Sequence, residues 1–193
     1  MKTIKLIFLL LLTLAFSSCN QFKLDNTEAE GLIKKTLELP KSYSYSVGWG
    51  PGVSMWGAGG KLDALQSDGL ITWHDEPNGW SDNILYLNPT EQGKPFLIST
   101  SGNIYTFKIH DIDFEQITGI SIDKNTQTAT VRYTLKATNV TPIAQSLSRG
   151  GYIKYSLDNP LNGELIFKKF DNGWQLQSDQ NKTSNEIVNE MLK

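Results

Sequence analysis

The chain has 193 residues, with 18 basic against 20 acidic side chains for a net charge of −2. So even a balance, with no basic block, excludes a protein that tracks nucleic-acid phosphates through a concentrated cationic face. A single cysteine excludes an internal disulfide and any multi-thiolate metal centre, so the fold must be held by burial.

Lys2 and Lys5 precede an apolar run from Leu6 to Phe16, interrupted only by Thr13. That run has the length of a signal-peptide hydrophobic region and is too short to cross a bilayer as a helix. Ser17 and Ser18 then place small residues ahead of Cys19, the sole thiol. The stretch LAFSSC, residues 14–19, resembles the lipobox of bacterial lipoprotein precursors. The resemblance implies that residues 1–18 are a cleaved signal peptide and that Cys19 becomes the lipidated N-terminus. It also implies a domain outside the cytoplasm, held at a membrane by acyl chains such as palmitate. Each buried methylene of such chains contributes about 0.8 kcal/mol. Asn20, where retained lipoproteins of that family carry Asp, points to the outer membrane. Thioether formation leaves no catalytic cysteine.

Residues 19–26 read as a lipidated polar tether. Thr27 with Glu30 predicts a capped helix carrying Leu32, Ile33 and Leu37 on one face and ended by Pro40. A short strand is expected over Tyr43–Val47, followed by an ordered glycine-rich loop to residue 60. Lys61–Asp68 predicts a second helix stopped by Gly69 in a left-handed position, with Leu65 and Leu70 in contact. A hairpin follows, Leu70–His74 and Asn83–Leu87, and then a helical turn with Asn88 as cap and Pro89 at its first position. Residues 128–138, TATVRYTLKAT, alternate strictly and predict a half-buried antiparallel strand behind Ile117–Ile122. Leu165–Phe170 and Trp174–Gln177 flank Asp171-Asn172-Gly173, a hairpin signal. The C-terminal segment from Thr183 predicts a short helix docked on the sheet through Ile187, Val188, Met191 and Leu192.

Residues 61–97 resemble the last helix, wing and closing turn of a winged-helix domain, through Leu62, Leu65, Gly69, Leu70, Ile71, Leu87, Thr90 and Gly93. The helix carries only Lys61 against Asp63 and Asp68, so the resemblance implies a packing module and no DNA reader. The later strands and the DNGW hairpin resemble the curved antiparallel sheets of cystatin-like and NTF2-like domains. The expected fold is therefore α+β. N-terminal helices with a winged-helix-like hairpin (27–100) pack against a C-terminal curved antiparallel sheet with a closing helix (101–193).

No catalytic residue, cofactor site or metal site stands out. His110-Asp111-Ile112-Asp113 suggests ligands, but an extended strand sends His110 and the two aspartates to opposite faces, so a solvated strand end is expected. His74 reads as a surface histidine. Gly52-Val53-Ser54-Met55-Trp56 lacks the second glycine of a serine-hydrolase elbow. WGAGGKL fails as a phosphate loop at Met55 and Leu62. The densest anomaly is aromatic: Tyr43, Tyr45, Trp49, Trp56, Trp73 and Trp80. Such rings form a core, or else reach a surface where their faces stack on sugars or clamp apolar groups. The expected function is a non-enzymatic envelope lipoprotein that binds a protein partner in an assembly, with Tyr43, Tyr45, Trp49, Trp56 and Trp80 as the candidate surface. A glycan or peptidoglycan binder using the segment 43–80 is the first alternative, and an envelope hydrolase the second.

Overall fold

The computed structural model describes residues 22–51, 59–78, 82–177 and Val188. The chain runs α1 (Asn26–Leu37), β1 (Lys41–Gly48), β2 (Gly50–Pro51), α2 (Gly59–Ser67), β3 (Ile71–Asn78) and β4 (Asp82–Pro89). A 3-10 turn (Lys94–Phe96) leads to β5 (Leu97–Ser101), β6 (Ile104–Asp123), β7 (Thr128–Thr138), α3 (Pro142–Arg149), β8 (Leu161–Phe170) and β9 (Gly173–Leu176). The main sheet is antiparallel in the order β1-β6-β7-β8-β9, with β5 also paired to β6, while β2, β4 and β3 form a second sheet. The main sheet curls strongly into a half-barrel, giving a mixed α/β architecture.

β6 is the spine, 20 residues long. Its first half pairs with β1 and β5 and its second half with β7. The register slips between Tyr43 and Ser44 opposite β1, between Leu97 and Ser99 of β5, and twice opposite β7. Each such irregularity bends a strand and increases its twist, which is how one long strand serves a curled sheet.

Two cores lie along this spine. One joins α1 (Ala29, Ile33, Leu37) to Ile112, the inward residues of β7, Leu165, Phe167, Trp174 and Val188. The other joins α2 (Leu62, Leu65), Leu70, Ile71, Leu85 and Leu87 to Val47, Phe107, Ile109 and the α3 residues Ile143, Ala144 and Leu147. Each core draws residues from both sides of the boundary expected at residue 100, because β1 and α1 pack on the sheet that this boundary assigned to a separate unit. Of the expected C-terminal helix only Val188 is described, as helical and buried.

Local chemistry sets the ends of the elements. The helix α1 is capped by the Asp25 carboxylate, which accepts from Glu28 N at 2.9 Å, and not by Thr27. Starting there places Ala29, Ile33 and Leu37 on one buried stripe at a spacing of four. Leu24 is only 4% exposed and belongs to the same core, so the chain joins the domain at residue 24, and the tether expected to reach residue 26 is shorter.

The end of α2 follows the sequence closely. Leu70 N donates to Leu65 O and Gly69 N to Gln66 O, both at 2.9 Å, with Gly69 at φ +71°. This is the Schellman bond pair with its Leu65–Leu70 contact. The expected helical turn at Asn88 forms two residues later. Asn88 and Pro89 stay in β4, and the Thr90 hydroxyl accepts from Gly93 N while donating to Gly69 O at 2.6 Å. Helix and hairpin form over 59–89 with β2 on the hairpin edge, but the helix packed on α2 is α3, from far downstream, so a winged-helix arrangement is not established.

β7 alternates as its sequence predicts, with Ala129, Val131, Tyr133 and Leu135 buried. Thr134 is buried as well, its hydroxyl donating to Glu115 Oε2 at 2.9 Å.

Candidate functional site

β1 carries the first aromatic residues, and its period of two sorts them. Ser42, Ser44 and Ser46 face solvent, while Tyr43, Tyr45 and Val47 point inward. Just beyond the strand, Trp49 N donates to Asn103 O at 2.9 Å, and the indole stacks on Tyr105 with centroids 5.9 Å apart and planes 19° apart. Lys61 places its ammonium 5.8 Å from the Tyr45 ring and 5.6 Å from the Tyr152 ring, bridging β1, α2 and the chain after α3. Tyr43 stacks on His110 at 5.3 Å. All three β1-side rings are half-buried against the second core, with at least one face engaged by a neighbour. Trp73 is half-buried there too, and Trp56 and Trp80 lie outside the described residues. Among the described residues, Tyr43, Tyr45 and Trp49 come together as a half-buried layer, each ring in contact with a neighbour.

His110 and Asp111 depart from the expected solvated strand end. Both are buried, in the middle of β6. The cause is the bulge opposite β1: Tyr43 pairs with His110 but Ser44 with Lys108, leaving Ile109 as the extra residue. The inserted residue breaks the alternation, so Lys108 and Asp111 meet across three positions, Nζ to Oδ2 at 2.9 Å. Ser42 Oγ and Asn139 Nδ2 (2.8 Å) also donate to the Asp111 carboxylate. Burial would raise the pKa of this group. The hydrogen bonds from Ser42, Lys108 and Asn139, with the Lys108 charge, outweigh it and lower the pKa to about 2. Asn139, at φ +50°, is a residue type that tolerates the left-handed conformation needed there.

Beside this carboxylate, His110 Nε2 shares a hydrogen bond with the Tyr155 hydroxyl, and the two rings meet edge to face at 5.5 Å. Its Nδ1 and the Tyr43 hydroxyl are buried without a hydrogen-bond partner. Burial pushes the imidazole below its usual pKa, against a weaker pull from the Asp111 main chain and charge. Burial, with Tyr43 next to it, raises the Tyr155 phenol to about 12. At neutral pH the histidine and both tyrosines are therefore uncharged. The group contains acid–base residue types, but the His110–Tyr155 hydrogen bond and the Tyr43–His110 stack engage them with one another and tie β1, β6 and the 150–160 segment together.

A concave surface lies elsewhere. Asp68, Leu70, Gln92, Phe96, Pro142, Gln145 and Arg149 line a groove of about 450 Å³, within the size range of small-ligand sites. Its floor is apolar (Leu70, Phe96, Pro142), two amides line its walls, and the Arg149–Asp68 ion pair spans α3 and the end of α2. None of these residues was singled out from sequence as a site. α3 was not expected from the sequence, although its signal is there: Thr141 accepts from Ala144 N at 3.3 Å, Pro142 sits in the first turn, and Gly150-Gly151 follow the helix. His74 is exposed on β3, stacked on Tyr86 at 4.9 Å and 3.4 Å from Glu76. Among the described residues no group of three His, Cys, Asp or Glu side chains is arranged to hold a metal ion. No helix there is long and apolar enough to cross a membrane.

The fold and these sites define a mixed α/β protein on a half-barrel sheet, with a largely buried polar cluster and an open groove. Comparison with known protein families, with curated proteins and with solved structures returns no match.

Proposed function

We propose that this chain is a lipoprotein of a bacterial cell envelope, anchored through Cys19 to the outer membrane, and that it works by binding a protein partner and not by turnover. The observation that carries this reading is the position of Cys19, the only thiol, directly after a short apolar run and two serines. Two features support the binding half. The residues best suited to proton transfer at neutral pH are committed elsewhere, His110 inside the Tyr43–Tyr155 cluster and His74 on an exposed hairpin. The groove between α2, the 90–96 turn and α3 offers an apolar floor rimmed by amides and an ion pair, the composition of a contact surface.

The test is metabolic labelling of cells with an alkynyl fatty acid, followed by membrane fractionation and in-cell photocrosslinking from position 145. The wild-type chain is expected to take up label and sediment with outer membranes, whereas Cys19→Ser is unlabelled and soluble. A discrete crosslinked partner, lost on Arg149→Glu, is expected for the binding role. Label that persists in Cys19→Ser overturns the anchor. Catalytic turnover of an ester, glycoside or peptide by the purified lipidated protein overturns the binding role.

A further inference from the structure

The lipid anchor proposed above says nothing about which face of the domain meets the bilayer, and the geometry near residue 22 decides this. Leu24 is fixed in the core beneath α1, and Phe22 lines a cavity of about 530 Å³ with Gln127, Lys169, Phe170 and Asp171. Gln127 lies in the β6–β7 turn, Lys169 and Phe170 end β8, and Asp171 opens the β8–β9 turn. The two turns lie side by side because Thr128 pairs with Lys168 and Lys169 N donates to Gln127 O at 2.9 Å. The chain therefore enters the domain at the tips of these two hairpins.

Between Cys19 and Phe22 there are three Cα steps of 3.8 Å, so the lipidated residue lies at most about 11 Å from Phe22. The polar headgroup layer of one leaflet is about 5–8 Å thick. A spacer this short keeps the hairpin tips within about 3–6 Å of the outer edge of that layer even when fully stretched, and against it when relaxed. The chemistry of the tips suits that position. Phe170 is 46% exposed and Ile166 42% exposed on the outer face of β8, with Lys168 between them and its ammonium 6.0 Å from the Phe170 ring. Lys23, Lys124, Lys168 and Lys169 lie at this end with the acids Asp25, Asp123 and Asp171, and the Glu164 carboxylate farther along β8 is paired with Arg132 at 2.9 Å. An aromatic ring flanked by lysines that keep their heads in water is how a protein surface settles into a phospholipid interface.

We infer that the β6–β7 and β8–β9 hairpin tips form a membrane-docking face, with Phe170 seated in the headgroup layer and the surrounding lysines on lipid phosphates. This orientation rests on Cys19 lipidation. It holds the long axis of β6 away from the bilayer, with β5 and the groove at Asp68 and Arg149 on the side remote from the docked tips.

Because the thioether consumes Cys19, one introduced cysteine is the only free thiol of the lipidated full-length protein. Asn172→Cys at the β8–β9 tip and Ser101→Cys at the far end of β5 would each carry an environment-sensitive fluorophore. The labelled proteins are reconstituted in vesicles of phosphatidylethanolamine and phosphatidylglycerol that contain a headgroup nitroxide quencher. The Asn172 probe is expected to shift to the blue and to be strongly quenched, and the Ser101 probe to do neither. In an Asn172→Cys/Phe170→Glu protein that still floats with vesicles and keeps its circular dichroism, quenching should fall severalfold. Equal quenching at both positions, or none at 172 in protein that floats with the vesicles, overturns the docking face while leaving the anchor intact. A second reactive thiol at Cys19 in the mature protein overturns the anchor, and this orientation with it.

Discussion

His110 Nε2 and the Tyr155 hydroxyl share a hydrogen bond inside the protein, where the imidazole has no exposed surface at all. That bond fixes the irregular 150–160 segment to the middle of β6. Tyr155→Phe would leave Nε2 buried and unpartnered, which costs about 1–3 kcal/mol. Urea unfolding should show a lower midpoint at unchanged slope, with the main sheet retained by circular dichroism.

The same imidazole predicts a pH dependence. Its folded pKa lies below the ordinary value of 6.5 because burial disfavours the charged form. The unfolded chain therefore binds the proton first, and the contribution of neutral His110 is complete above pH 6.5 and is lost as pH falls through the lowered folded value. Unfolding free energy measured from pH 8 downward should begin to decline near pH 6.5, and a His110→Phe protein should lack that decline.

Asp111 acts in a separate window. Its carboxyl is lowered from 3.8 to about 2, so its contribution is present above pH 3.8 and disappears between there and about pH 2. The side chain is 9% exposed, so a shift of this size corresponds to roughly 2 kcal/mol. Asp111→Asn keeps the shape but removes the charge facing Lys108, and should lower stability by about 2–4 kcal/mol at neutral pH. The acid-unfolding profile of the variant should be flatter below pH 3.8.

Gly93 has no room for a side chain. A Cβ placed there would lie 1.9 Å from Leu70 O, a main-chain atom held by Thr90 N at 3.1 Å. Gly93→Ala must push the 90–96 turn away from the end of α2 and should cost about 1–3 kcal/mol. Thermal unfolding would detect this, and an unchanged melting temperature would contradict the close approach.

Trp49 distinguishes an inner ring from a sugar platform. Its stacking on Tyr105 predicts that Trp49→Ala costs about 2–3 kcal/mol and that Trp49→Phe costs under about 1.5 kcal/mol. Denaturant titrations of the two variants check the order.

Several elements were legible because their causes are local. The strict alternation of Thr128–Thr138 places Val131, Tyr133 and Leu135 on the core whatever strand lies alongside. Asp171-Asn172-Gly173 turns the chain at Gly173, φ +120°, without help from distant residues. The Schellman end of α2 needs only Leu65, Gly69 and Leu70. α3 had the same kind of signature in Thr141-Pro142 and Gly150-Gly151, and its amphipathic stripe of Ile143, Ala144 and Leu147 is as clear as that of α1. The expected strand Ile117–Ile122 is only the last part of β6, and the His110–Asp113 stretch expected as a solvated strand end lies in its middle, because β1 and β7 supply its partners there.

By itself, the sequence determined the apolar run of residues 6–16, the lone Cys19, the Schellman end of α2 and the Asp171-Asn172-Gly173 turn, since each depends on residues within one or two turns of chain. Only the tertiary structure decided that His110 and Asp111 are buried. Their environment comes from Ser42 and Tyr43 of β1, Asn139 and Tyr155, and from a bulge that exists only when β1 pairs with β6. Tertiary structure also brought Asp68 to Arg149 and Phe22 to Phe170, pairs whose members are far apart in sequence. No local pattern encodes such contacts, because their free energy comes from surfaces that meet only after the chain has folded.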